Sequence, residues 1–237
     1  MSILAAVQEL LAEGPYAGVP MVTKDPVYHV GDLNKKRKVG GTGYEGDGLP
    51  VSEHPQAWAR IARLGSELWY LKKKGGKGRF MNMLAAMKNK TLKSRVISWA
   101  VNSGWATQGR VWKASWYDDE WEDTFTATYG SKEEADQEHG DDEDTEIKEF
   151  SQLVATPKLQ DWWKGFTGQE IGPGLVEEML FFLFARDQTD LDGVWWNEIL
   201  DTSRLSAPRG SIFQERLKNW ERKKITWEEG PDEDEEA

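Results

Sequence analysis

Between Arg110 and Tyr129 the side chains alternate, and this alternation constrains the fold more than any other feature. Val111, Lys113, Ser115 and Tyr117 fall on one side of an extended chain, and Trp112, Ala114 and Trp116 fall on the other. Asp118, Asp119 and Glu120 interrupt the pattern, after which Phe125, Ala127 and Tyr129 resume it. A period of two gives a strand with two distinct faces, and two such runs joined by a short polar turn make a β-hairpin. The chain is therefore not all-helical.

Helical signals elsewhere make it α+β. Ser52 caps a helix with Pro55 in its first turn and Ala57, Trp58, Ile61, Ala62 and Leu64 at helical spacing. Phe80 to Trp99 reads as one or two helices, and Asp161 to Phe166 as a short one. Ser131 with Glu134 forms a capping box. Pro173 to Arg186 is a helix, apolar all round at Leu180 to Phe184, which places it in the core. Residues 1–13 are helical up to Gly14-Pro15. Val27 to Val30, Leu49 to Ser52, Glu67 to Leu71 and Asp192 to Ile199 read as strands, and Ile212 to Trp220 closes the fold. The expected architecture is a split, small mixed or antiparallel β-sheet with flanking helices and one hairpin at about 110–129. No repeat or boundary divides residues 1–227, which read as one domain. The thirteen tryptophans serve packing first, since each buries a large ring with one polar handle. The pairs Trp162-Trp163 and Trp195-Trp196 put one ring on each side of their element. A stacking surface for a base or a nicotinamide ring is the alternative.

Charge is segregated. The net charge is −11, yet residues 133–146 carry nine acids and residues 228–237 carry seven, neither run holding Lys or Arg. Without those sixteen acids the net charge would be +5. Residues 35–110 hold 16 basic and 4 acidic side chains. Residues 133–147 thus read as an acidic mobile insertion and residues 228–237 as a disordered acidic tail. The basic stretch suits a phosphate-bearing ligand, with nucleic acid a candidate partner through residues 35–110.

The chain has no cysteine and only three histidines, His29, His54 and His139. Thiolate chemistry and cysteine-ligated zinc are excluded, and no metal site is expected. Gly41 to Gly46 matches G-x-G-x-x-G, but Lys35 to Lys38 stand where a strand should precede it, so it reads as a loop. No apolar run reaches the roughly 18 residues that span a bilayer. The first residues lack the basic start of a signal peptide, so no membrane association and a cytoplasmic location are expected.

Two separated pieces carry a functional pattern. One is Tyr28-His29-Val30-Gly31 followed by Gly48-Leu49-Pro50-Val51-Ser52. The other is Asp192-Gly193-Val194-Trp195-Trp196-Asn197-Glu198 followed by Ser211-Ile212-Phe213. Together they resemble the ADP-ribosyltransferase superfamily, in the branch with an early His strand and a late Glu strand. The chain departs from that pattern in lacking Glu-x-Glu and the paired tyrosines or Ser-Thr-Ser. The resemblance implies NAD as the ligand, with transfer of ADP-ribose to a macromolecule or hydrolysis of NAD. It implies Glu198 as the carboxylate beside a cationic sugar and His29 as the ribose-binding side chain. Tyr28, Gly31, Ser52, Trp195, Trp196 and Arg209 then line the cofactor, with Arg209 suited to the pyrophosphate. His29 capping a strand end, Glu198 as a solvated acid and Arg209 as a turn residue remain the structural alternatives. A second functional reading is a non-enzymatic acidic inhibitor, of the kind a phage or mobile element encodes. Its acidic runs would occupy the basic surface of a host nucleic-acid-binding complex.

Overall fold

The computed structural model describes residues 18–33, 46–62, 67–119, 122–139, 144–200 and 206–229. The expected N-terminal helix, most of the glycine-rich loop and residues 230–237 of the tail lie outside them. The described chain is α+β and gathers into two compact units. Of the described residues, unit 1 holds 18–33, 46–62, 67–95, 181–200 and 206–229, and unit 2 holds 96–119, 122–139 and 144–180. The sequence showed no such division because two of its junctions, at 95/96 and 180/181, fall inside helices, where no linker composition marks them.

Unit 1 is built on one sheet of eight strands rather than a small split one. Its strands are β1 (Met21–Lys24), β2 (Val27–Val30), β3 (Leu49–Ser52), β4 (Leu68–Lys73), β5 (Gly78–Asn82), β9 (Gly193–Trp196), β10 (Arg209–Ile212) and β11 (Trp220–Ile225). They lie in the order β1-β5-β9-β10-β3-β2-β4-β11. All neighbours are antiparallel except β5 and β9. Every strand sends a side chain into one apolar cluster: Val22, Val27, Leu49 with Val51, Leu71, Phe80, Trp195, Ile212 and Trp220. Trp220 on the last strand lies 6.0 Å from Phe80, centroid to centroid, near the opposite edge. The sheet therefore curls around its own core. Each fully buried side chain of this size contributes about 1.5–3 kcal/mol.

On the outer face, α1 (Pro55–Ala62) packs Trp58 against Val30 and Leu68. Phe80 and Met81 belong to β5, not to a helix. Helix begins only after Asn82, whose side chain accepts from Ala85 N at 3.1 Å and starts α2 (Met83–Lys88). Asn89 ends α2, and its side chain accepts from Leu92 N at 3.0 Å to start α3 (Lys90–Asn102). Two short polar side chains thus cut one apolar stretch into a strand and two helices.

Unit 2 carries the hairpin. β6 (Ala106–Asp118) pairs with β7 (Asp123–Tyr129) and, on its other side, with β8 (Glu146–Ala155), all antiparallel. The described parts of the expected acidic insertion, residues 133–139 and 144–147, include regular structure. Its first part is α4 (Lys132–His139), where Ser131 Oγ accepts from Glu134 N and the Glu134 carboxylate accepts from Gly130 N. Its last residues begin β8. The Ser131–Glu134 capping box marks this helix in the sequence, and Ala135 is its buried residue; the start of β8 carries no such signal. α5 (Pro157–Thr167) buries Leu159 and Trp163 and ends at Gly168, whose φ of +76° suits glycine. α6 (Pro173–Gln188) is buried on all sides from Met179 to Ala185, as its apolar run required.

Candidate functional site

The four segments that carry the family resemblance lie side by side as β9-β10-β3-β2, in the middle of the unit 1 sheet. Trp196 stands opposite Arg209, Arg209 opposite Ser52, and Ser52 opposite Tyr28. The line continues from Tyr28 to Tyr70 and from Tyr70 to Lys223. Residues directly opposite one another share a face. Six side chains therefore cross six strands in one row on the outer face.

Glu198 follows Trp196 by two residues and forms an ion pair with Arg209. The two side chains are 24% and 13% exposed, so the pair is largely shielded. The Arg209 guanidinium lies 5.4 Å from the Trp196 ring and 5.8 Å from that of Trp58. Two aromatic faces thus hold a planar cation, as its weak hydration favours. Ser206 Oγ donates to Glu198 at 3.4 Å.

Ser52 is fully buried. Its hydroxyl donates to Pro208 O at 2.7 Å and accepts from His54 N at 3.0 Å. It ties the approach to α1 to the approach to β10. Tyr28 meets Tyr70 edge-on, with centroids 5.9 Å apart. Burial raises the Tyr28 phenol above its ordinary pKa, and Tyr70 adds to the shift. Tyr28 is thus a neutral hydrogen-bond donor at physiological pH.

The inner face differs. His29 follows Tyr28 on β2 and so points the other way. It is 4% exposed, and its Nδ1 lies 2.7 Å from Pro50 O. A carbonyl only accepts, so Nδ1 carries the proton. Trp195 is fully buried against Phe80, centroids 5.4 Å apart. Gly31 lies beyond the end of β2 at φ +119° and donates its N–H to Glu67 O at 2.8 Å, a turn that favours glycine. The outer row and Glu198 thus bring together five expected site residues: Tyr28, Ser52, Trp196, Glu198 and Arg209. His29 and Trp195 are not among them. The imidazole and the carboxylate stand on opposite faces of one sheet.

The Asp192-Gly193 signature has a packing cause. Buried Asp192 pairs with Lys73 and accepts from Arg79 N at 2.9 Å. A Cβ on Gly193 would overlap the Ser211 carbonyl. Sequence reasoning missed Trp58, Tyr70 and Lys223. Strand alternation was the one available signal, and it needed the pairing order to become a row. Among the described residues no group of three or more His, Asp or Glu is placed to hold a metal ion. Comparison with protein-family models, with curated proteins and with solved structures finds no match.

Proposed function

We propose that unit 1 is an ADP-ribosyltransferase-like module that takes NAD as its substrate on the outer face, at Glu198, Arg209 and Tyr28. One observation carries this reading. Segments as far apart in sequence as residues 27–30 and 209–212 assemble into four adjacent strands, which set Tyr28, Arg209 and Glu198 toward one face although His29 lies on the other. The roles are redistributed from those the resemblance implied. Glu198 stabilises positive charge developing on the sugar as the nicotinamide bond loosens. Arg209 offers a planar fork to the pyrophosphate. Its present partner is the Glu198 carboxylate, so an incoming pyrophosphate exchanges one anion for another and leaves Glu198 to face the sugar. Tyr28 supplies the neutral donor expected of His29. Trp196 and Ser52 are buried and shape the floor rather than contact the ligand.

The test is labelled NAD with and without a cell lysate. Glu198→Gln should lower NAD consumption by about a hundredfold or more, the size of effect seen when one electrostatic stabiliser is lost. Wild-type turnover in that variant ends the reading. The inhibitor alternative predicts the reverse, with activity lost on neutralising the acidic runs and unaffected at Glu198. In the first run, Glu134 is engaged in a helix cap and Asp136 in an ion pair with Lys132.

A further inference from the structure

The row on the outer face of unit 1 does not stop at the candidate NAD site. It runs on to the β4–β11 edge, where Lys223 stands opposite Tyr70 and exposed Lys72 follows Tyr70 on the same face. The hairpin between β4 and β5 then presents Lys74, Lys77 and Arg79, all exposed, while on β11 the acid Glu221 stands opposite Lys72, and Arg222 and Lys224 alternate to the other face. Residues 68–95 contain nine Lys or Arg and no acid. Lys73 is taken up by buried Asp192, and the Arg79–Asp190 pair lies on exposed side chains and offsets little of the rest. Aromatic rings are set among the cations. Tyr28 and Tyr70 are half-buried in the row.

Lysines on an edge strand also guard against unwanted strand pairing. That role needs no aromatic faces between the charges, and none of the lysines of a hairpin turn. Cations that follow a backbone beside rings that can stack on bases are the two components of a site for single-stranded nucleic acid. We infer that the β4–β11 edge and the β4–β5 hairpin of unit 1 bind a single nucleic-acid strand, with Lys72, Lys74, Lys77 and Lys223 on phosphates and Tyr70 against a base. The surface differs from residues 35–110 taken as a block, because it uses four residues of that stretch on one face and edge of the sheet and adds Lys223 from β11. It is independent of the NAD reading, which uses none of these five residues.

The experiment is fluorescence anisotropy of the full chain with a labelled single-stranded oligonucleotide over a range of salt. Four lysine–phosphate contacts predict that log affinity falls against log salt with a slope of about −3, since each contact on a single strand contributes about −0.7. Lys77→Gln, in an exposed turn where folding is not at stake, should reduce the slope by about 0.7. Tyr70→Ala should weaken binding between about fivefold and a hundredfold, and Tyr70→Phe should restore it. NAD binding should be unchanged in Lys77→Gln, so failure here and failure of the NAD reading are separable. The proposal is overturned by no binding at physiological salt, by a slope unaltered in Lys77→Gln, or by equal affinity for heparin or anionic vesicles with no loss in Tyr70→Ala.

Discussion

Trp195 and Trp196 are adjacent in the chain and serve opposite faces of the same sheet. Around Trp195 the inner face is a packed apolar cluster fed by all eight strands. Its one histidine is turned onto a backbone carbonyl. Around Trp196 the outer face carries an ion pair, two phenols and a lysine in register. The contrast assigns the work. A curled sheet needs its inner face for stability, so groups with chemistry to perform are free only on the other.

The strongest way to break this comparison is to truncate the inner ring. Trp195→Ala should lower unfolding free energy by about 3–5 kcal/mol, measured by urea denaturation. Trp195→Phe should retain most of that stability, because the indole N–H has no hydrogen-bond partner among the described residues. A mild Trp195→Ala would mean that the cluster does not hold the sheet together. On the outer face the weighting reverses. Glu198→Gln leaves Arg209 beside a neutral amide in a largely but not fully shielded place and should cost less stability than the roughly 3–5 kcal/mol of breaking a fully buried pair. Its loss of NAD turnover should be the larger effect. If instead the variant unfolds and the folded remainder turns over normally, the outer pair is structural.

This division explains what was legible beforehand. The hairpin, β2, β3, α5 and α6 could be read because periodicity and caps are local properties. Half of β8 is exposed, β1 is an edge strand of four residues, and β11 carries charge on both faces, so pattern and composition disguised them. At the site, the four motif segments were visible, but which face each side chain took was not. A one-residue change of parity moves a side chain across the sheet. Asp192 to Ile199 was expected as one strand, whereas β9 ends at Trp196. Glu198 therefore reaches Arg209 from beyond the strand, and His29, one residue from Tyr28, falls on the wrong side to meet it.

His29 sharpens the point. On the inner face it should matter for stability and not for chemistry. His29→Leu removes the donor to Pro50 O and leaves that carbonyl buried without it, a cost of about 1–3 kcal/mol. NAD turnover per folded molecule should match wild type, assayed alongside a denaturation curve. A large fall in turnover with unchanged stability would return His29 to the site and undo the two-face argument.

The smallest expected effect concerns Tyr28. Burial, with Tyr70 second, raises its phenol above the ordinary 10.0. The unfolded chain therefore loses this proton at lower pH than the folded one. The sign follows from linkage: the phenol's contribution to stability is complete below pH 10 and is lost as pH rises through the higher folded value. Between pH 8 and pH 11, urea midpoints should fall further for wild type than for Tyr28→Phe, which has no proton to lose. Ring packing is nearly the same in both, so the difference isolates the hydroxyl. Equal falls would mean that the phenol is as well solvated in the folded protein as in the unfolded chain. The outer row would then lack the sheltered neutral donor that the NAD reading assigns to it.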